Sequence, residues 1–128
     1  MEYSIRIDDE KKFVEVSTQG VASSAGFISF ISELLKPSCM ALAYNLLVEI
    51  SELDTSSLVS GDVRDIVDFL EQHRDDLSHK KHAIVAATPL AFGFARMYQI
   101  MSEDSTPMTT KVFAFRQQAE NWLLGDEE

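Results

Sequence analysis

Cysteine is almost missing from this sequence: Cys39 is alone. A single cysteine closes no intrachain disulfide, so the chain is not a disulfide-framework domain, and a reducing compartment is favoured. Bases are also scarce, 11 Lys and Arg against 21 Asp and Glu, for a formal net charge of −10. Phosphate backbones are held by clustered cations, so nucleic acid is not an expected partner. Plain electrostatic attachment to anionic lipid is disfavoured for the same reason. No apolar run approaches the roughly 18 residues a membrane span needs. The opening residues MEYSIRIDDEKK are polar and alternating, unlike a secretory signal, so a cytoplasmic location is expected.

Catalytic signatures are missing too. There is no Gly-x-Ser-x-Gly, no P-loop, no Cys-x-x-Cys and no His-Glu-x-x-His. A serine nucleophile needs an activating base, and the three histidines all lie between residues 73 and 82. Asp75 and His79 have helical i, i+4 spacing, but Lys80 and Lys81 follow, and a solvated helix end accounts for them better than a metal does. The expectation is a protein that is not an enzyme and carries no cofactor or metal.

What remains is an ordinary globular composition, 45% apolar, over 128 residues. That length suits a single domain, residues 1–128, able to bury about two-thirds of its unfolded surface without staples. The acidity is uneven. From Glu49 to Asp76 nine acids accompany two bases. This reads first as a solvated helix face, with a docking face for a basic partner as the sharper reading.

Periodicity supplies the order of elements. Ile5 and Ile7, then Val14 and Val16, alternate with polar residues around the turn DDEKK, which predicts a hairpin with strands at about 3–8 and 11–18, ended by Gly20. Phe27, Ile28, Ile31, Leu34 and Leu35 share a helical face, with Ser23 or Ser24 as cap, Pro37 as stop and Phe30 partly exposed. YNLLVEI and AIVAA read as strands buried on both faces. Val63, Ile66, Val67, Leu70 and Leu77 mark a helix over about 61–78. PLAFGFARMYQIMSED reads as a helix with Pro89 in its first turn. TKVFAF is a last strand, and RQQAENWLL a closing helix with Ala119, Trp122 and Leu123 inward. The order ββαβαβαβα predicts an α/β fold with a mixed sheet of about five strands and four helices, largely parallel, with the hairpin as an antiparallel edge.

With that order, HAIVAATPLAFGFARMY (82–98) and KVFAFRQQAENWLL (111–124) resemble the small stand-alone bacterial branch of SpoIIAA-like proteins. This is the STAS superfamily (sulfate transporter and anti-sigma-factor antagonist), a branch also grouped with CRAL-TRIO lipid-transfer domains. The first stretch resembles that branch's buried strand and its apolar helix with Ala-Arg-Met, and the second its last strand and a helix ending Ala-x-x-Trp-Leu. The resemblance covers nearly the whole chain and implies a non-catalytic binding or regulatory module. In anti-sigma antagonists a strand leads into an Asp-Ser-Ser-Gly turn whose serine is phosphorylated. Here Asp54-Thr55-Ser56-Ser57 is followed by Leu58, and Ser60-Gly61 is preceded by Val59, so neither register matches.

Two candidate sites follow. One is the loop of Asp54, Thr55, Ser56, Ser57, Ser60 and Gly61. Its plainest role is a polar loop with Ser60 as helix cap and Asp62 favourable at the positive helix end. Its sharper role is contact with a protein partner or ligand beyond the carboxyl end of the sheet, close to Thr88–Gly93. The other is the apolar helix of Leu90, Phe92, Phe94, Met97 and Ile100. Leu90, Phe94, Met97, Tyr98 and Met101 are expected on its core face, leaving Phe92 and Ile100 for a homodimer or another contact. Arg96 reads as a surface residue. The leading expectation is a protein-interaction module. The alternative is a binder of a small hydrophobic ligand or lipid, touching a membrane surface through residues 90–101. A cavity between that helix and the sheet, wide enough for an acyl chain and lined by residues such as Phe92, Phe94 and Met97, separates the two.

Overall fold

β1 (Glu2–Asp8) and β2 (Phe13–Val21) form the expected antiparallel hairpin, with Ile5 opposite Val16 and Ile7 opposite Val14. The computed structural model describes residues 1–36, 44–77, 80–103 and 108–125. The chain reverses through Lys12 at φ 61°, whose N–H donates to the Asp8 carbonyl at 2.8 Å, while the Lys11 N–H donates to the Asp8 carboxylate at 2.9 Å. β2 does not stop at Gly20. Glycine at φ 93° lets the strand pass through a left-handed residue and continue to Val21.

α1 (Ser24–Leu34) is capped by Ser23, whose hydroxyl accepts from the Gly26 N–H at 3.0 Å. Phe30 is in the core, not partly exposed as its position on the helical wheel suggested. Tyr3 of β1 and Phe27 meet its ring at 5.8 and 5.6 Å and widen the buried stripe. Gly26 leaves room for the Met1 side chain, which packs against it. The expected stop at Pro37 lies outside the described residues.

β3 (Asn45–Asp54) leads to α2 (Ser60–Gln72), which buries Val63, Ile66, Val67 and Leu70 as its spacing predicts. The helix ends at Gln72 and a 3-10 turn, Arg74–Leu77, follows, so the pattern read as one helix to 78 is two pieces. β4 (Lys81–Val85), α3 (Pro89–Ser102), β5 (Thr109–Phe113) and α4 (Arg116–Leu123) complete the chain. Pro89 opens α3, where its missing N–H costs no helical bond, and the Thr88 hydroxyl accepts from the Ala91 N–H at 3.2 Å.

The strand order is β1-β2-β3-β4-β5, antiparallel once and then parallel throughout. Each parallel step moves the same way along the sheet. Right-handed crossovers therefore put α1, α2 and α3 on one face. The larger core fills that side: Val14, Val16, Val48, Ile50 and Ile84 pack beneath the three helices. α4, after the last strand, covers the other face, where Trp122, Leu123 and Ala119 close over Phe13, Leu47, Ala83 and Val85. Lys81 and Lys111 lie over the Trp122 ring, 5.3 and 5.4 Å from its centroid.

One eight-residue helix cannot cover five strands, and beside it the sheet face turns ionic. Glu15 on β2 is buried and accepts from both terminal guanidinium nitrogens of Arg116 at 2.6 Å and from one of Arg6 at 2.6 Å. Arg116 also reaches Glu120 at 2.7 Å, and Glu120 accepts from Lys11 at 2.9 Å. The Arg116 guanidinium chiefly, with Arg6, holds the Glu15 carboxyl down at about 2 against the effect of burial.

Candidate functional site

The loop after β3 is built on Asp54. Its carboxylate accepts from the Ser56 N–H at 3.0 Å and the Ser56 hydroxyl at 2.6 Å, and these bonds hold its pKa below the usual range. Thr55 is buried and its hydroxyl has no hydrogen-bond partner. Ser57, Ser60 and Gly61 are exposed. Ser60 is not the helix cap. Val59 occupies that position without a side-chain cap bond, and the Asp62 carboxylate reaches back to accept the Val59 N–H at 2.9 Å.

This loop and the turn opening α3 both sit at the carboxyl edge of the sheet, but the hydrogen bonds tie them to different neighbours. The Ala22 N–H donates to the Asp54 carbonyl at 2.9 Å, joining the loop to the end of β2. The Ala87 N–H donates to the Ser51 hydroxyl at 2.9 Å, joining the α3 turn to β3 three residues earlier. Three strand residues rise about 10 Å. The edge does carry apolar side chains: Val21 (58% exposed), Val59 (63%), Leu90 (54%) and Phe115 (67%) follow the ends of successive strands.

α3 presents a different face from the one its apolar residues suggested. Ala91, Ala95, Tyr98 and Ser102 are the buried positions. Small residues there let the helix lie close to the sheet, and the bulky Phe92, Phe94, Met97 and Met101 flank the contact half-buried. Leu90 points outward, not to the core. Ile100, expected to remain outside, is exposed at 64%. Leu90 and Ile100 are ten residues apart, about 15 Å along the axis, so they make separate apolar points.

Between α1, α2, α3 and the sheet lies a cavity of about 70 Å³. Phe27, Phe30, Ile31 and Leu34 line it from α1, Ile66 and Leu70 from α2, and Phe94 and Tyr98 from α3. Leu46, Val48, Ile50, His82 and Ile84 form its floor on β3 and β4. Leu35, Tyr44 and Lys80, all half-buried, border it toward the amino end of the sheet. Of the α3 residues expected around a cavity, Phe94 lines it and Phe92 and Met97 do not.

The lining is almost wholly apolar, and two polar side chains, His82 and Tyr98, are buried at its border. His82 is buried, its Nδ1 sits 3.5 Å from the Thr110 hydroxyl, and its Nε2 has no hydrogen-bond partner. Burial pulls its pKa down to about 4, so the ring is neutral at physiological pH. The Tyr98 hydroxyl is likewise buried. Burial raises its pKa, and a side-chain hydrogen bond with Ser102 opposes that. Lys80 is shifted downward by desolvation. In the sequence His82 belonged to the polar cluster HRDDLSHKKH, and Tyr98 to a core stripe. The signal for a buried histidine was its alternation with Ile84 at the start of an apolar strand.

A second groove between α3 and β5 is open and polar, and its groups satisfy each other: Arg96 donates to Gln99 at 2.9 Å, and Gln99 to the Thr110 carbonyl at 2.9 Å. Among the described residues no group of three His, Cys, Asp or Glu side chains is placed to hold a metal ion, and no helix is long and apolar enough to cross a membrane.

No protein-family model matches the sequence, and no curated protein does. Among solved structures, the chain is similar to the crystal structure of an uncharacterised DUF3478-family protein with a SpoIIAA-like fold from Shewanella loihica PV-4. The two align with a TM-score of 0.62 and 20% identity over 95% of this chain and 92% of that one. Together with the singly wound sheet and its order ββαβαβαβα, this likeness establishes that the chain has a SpoIIAA-like fold.

Proposed function

We propose that this chain is a non-catalytic STAS-type binding module, and that its working site is the cavity beneath α1–α3, which holds a small, largely apolar molecule. The observation carrying this reading is the cavity itself. Protein interiors are packed to crystal density, and voids larger than a water are few. Here one of about 70 Å³ sits among large side chains from three helices and two strands. An engineered cavity of about 150 Å³ takes up benzene. At half that size, a long acyl chain does not fit with the helices as they stand, so the ligand is smaller than a lipid. The half-buried Leu35, Tyr44 and Lys80 supply the side from which it enters. The test is to denature gently purified protein and analyse the released fraction by gas chromatography and mass spectrometry. An equimolar small neutral compound supports the reading. No release, together with cavity methyl groups that ignore an apolar gas, contradicts it.

A second reading has its own support. Val21, Val59, Leu90 and Phe115 are each exposed near the carboxyl ends of β2 to β5, the edge that also carries exposed Ser57 and Ser60. Scattered single apolar residues need no explanation, but four along one edge suit a protein partner. The acidic residues of α2 beside Val59 favour one that is basic. Val59→Asp with Leu90→Asp should then abolish complex formation with such a partner while leaving the thermal midpoint unchanged.

A further inference from the structure

The sheet ends differently on its two sides. β5, at one edge, is five residues long, and Gln99 of α3 donates to the Thr110 main-chain carbonyl at 2.9 Å, so a side chain already occupies part of its backbone. β1, at the other edge, is seven residues long and contains no proline or lysine. It keeps register with β2 without a bulge, and β2 is its one strand neighbour among the described residues. Proline, lysine and bulges are common guards of an edge strand, whose outer main-chain groups otherwise form a template for another strand. We propose that β1 is an interface between two copies of this chain, which pair antiparallel about a two-fold axis through Ser4 and join their two sheets into one.

The residues of β1 select both the partner and the register. An interface on a two-fold axis is self-complementary: where residue i meets j, j meets i. With Ser4 on the axis, Glu2 of each copy lies opposite Arg6 of the other, and Tyr3 lies opposite Ile5. Strand alternation sends these two kinds of pair to opposite faces. Tyr3 and Ile5 are half-buried and pack against the larger core, so their pairing extends the apolar layer. Glu2, Ser4 and Arg6 are exposed. On their face Arg116 binds Glu15 and Glu15 binds Arg6, a row of alternating charge that runs out to the sheet edge. Its last member, Arg6, still has a side chain 63% exposed. Glu2 has no ion-pair partner among the described residues, and in the dimer Glu2 of the second copy is the next charge in that row. Other axes fail on charge. A two-fold through Ile5 sets Glu2 opposite Asp8, and one through Tyr3 leaves Arg6 outside the paired residues. Exposed ion pairs contribute little affinity, so main-chain bonds and the Tyr3–Ile5 contacts supply the association and the charges choose the register.

The experiment is sedimentation equilibrium of the full chain, wild type and Glu2→Arg, with oxidative cross-linking of Ser4→Cys and Glu2→Cys in a Cys39→Ala background. Wild type should show a reversible monomer–dimer equilibrium. Glu2→Arg sets like charges opposite each other in both halves of the interface and should weaken association by about tenfold or more. Its thermal midpoint, measured at a dilution where wild type is monomeric, should be unchanged, since Glu2 is exposed. Ser4→Cys should oxidise to a covalent dimer about tenfold faster than Glu2→Cys. Opposite Cα atoms of an antiparallel pair stand about 4.5–5.5 Å apart, within disulfide reach, whereas the two Glu2 positions lie about 13 Å apart along the strands. A chain that stays monomeric at every concentration overturns the proposal. So does a dimer that Glu2→Arg leaves intact and Ile100→Asp abolishes, which puts the contact on α3. Equal cross-linking rates for the two cysteine variants overturn it as well, because they report random collision and no register.

Discussion

His82 on β4 and Tyr98 on α3 face each other edge to plane across the core, 5.9 Å between ring centroids, and the His82 Nε2 lacks a hydrogen-bond partner. Both side chains are buried, which makes the pH behaviour of His82 measurable. His82 titrates at about 4 when folded and near 6.5 when unfolded. Below pH 6.5 the unfolded chain takes up a proton that the folded chain refuses. Stability is therefore complete above about 6.5 and is lost as pH falls toward 4, by up to about 3 kcal/mol. His82→Leu should flatten the urea-midpoint profile between pH 6.5 and 4.5. A profile as steep as wild type would mean His82 is solvated.

Glu15 gives a second, separate pH window. With its folded pKa at about 2, its contribution is present in full above about 4.5 and disappears as pH falls through 2. Glu15→Gln leaves Arg116 without its bidentate acceptor and should cost about 2 kcal/mol at pH 7, since removing one partner strands the other. A loss under about 0.5 kcal/mol in urea unfolding would mean the network is fully screened.

The start of α2 separates two assignments of one cap. Asp62→Ala should cost about 1 kcal/mol, because its carboxylate accepts the Val59 N–H, whereas Ser60→Ala should stay within about 0.3 kcal/mol. The reverse order in thermal unfolding would restore Ser60 as the cap.

The cavity predicts an unusual response to added volume. Val48→Ile places one more methyl group on the cavity floor. In a filled core such a change costs about 1–3 kcal/mol. Here it should be neutral or stabilising by about 0.5–1 kcal/mol, as expected when a methylene is buried in existing space. A clear loss of stability would indicate that the space is absent.

Much of this was readable from the chain. Alternation in β1 and β2 and the apolar runs of β3 and β4 gave the strands because their burial is set by period alone. The inward Ala119, Trp122 and Leu123 of α4 followed from helical spacing. The errors came where neighbours decide. Phe30 is drawn inward by Tyr3, which lies 27 positions earlier, and no helical wheel contains that contact. α3 turns its alanines to the sheet because close approach needs small residues, so the bulky positions that look like a core stripe lie at its flanks. Gly20 reads as a terminator, yet the strand uses its positive φ and continues. The cavity was least legible of all, since a void is a property of packing. His82 and Tyr98 sit 16 residues apart in two different patterns, and only the fold sets them against one space.

The most direct test of the central claim is xenon binding, followed at the methyl groups of Ile84, Leu70 and Val48 by NMR under gas pressure. These three side chains line the cavity from the sheet and from α2. A saturable shift confined to them and their neighbours, abolished in Val48→Ile, is the predicted result. Shifts that grow linearly with pressure and spread over the whole chain would show that the core is closed and that the ligand-binding account is wrong.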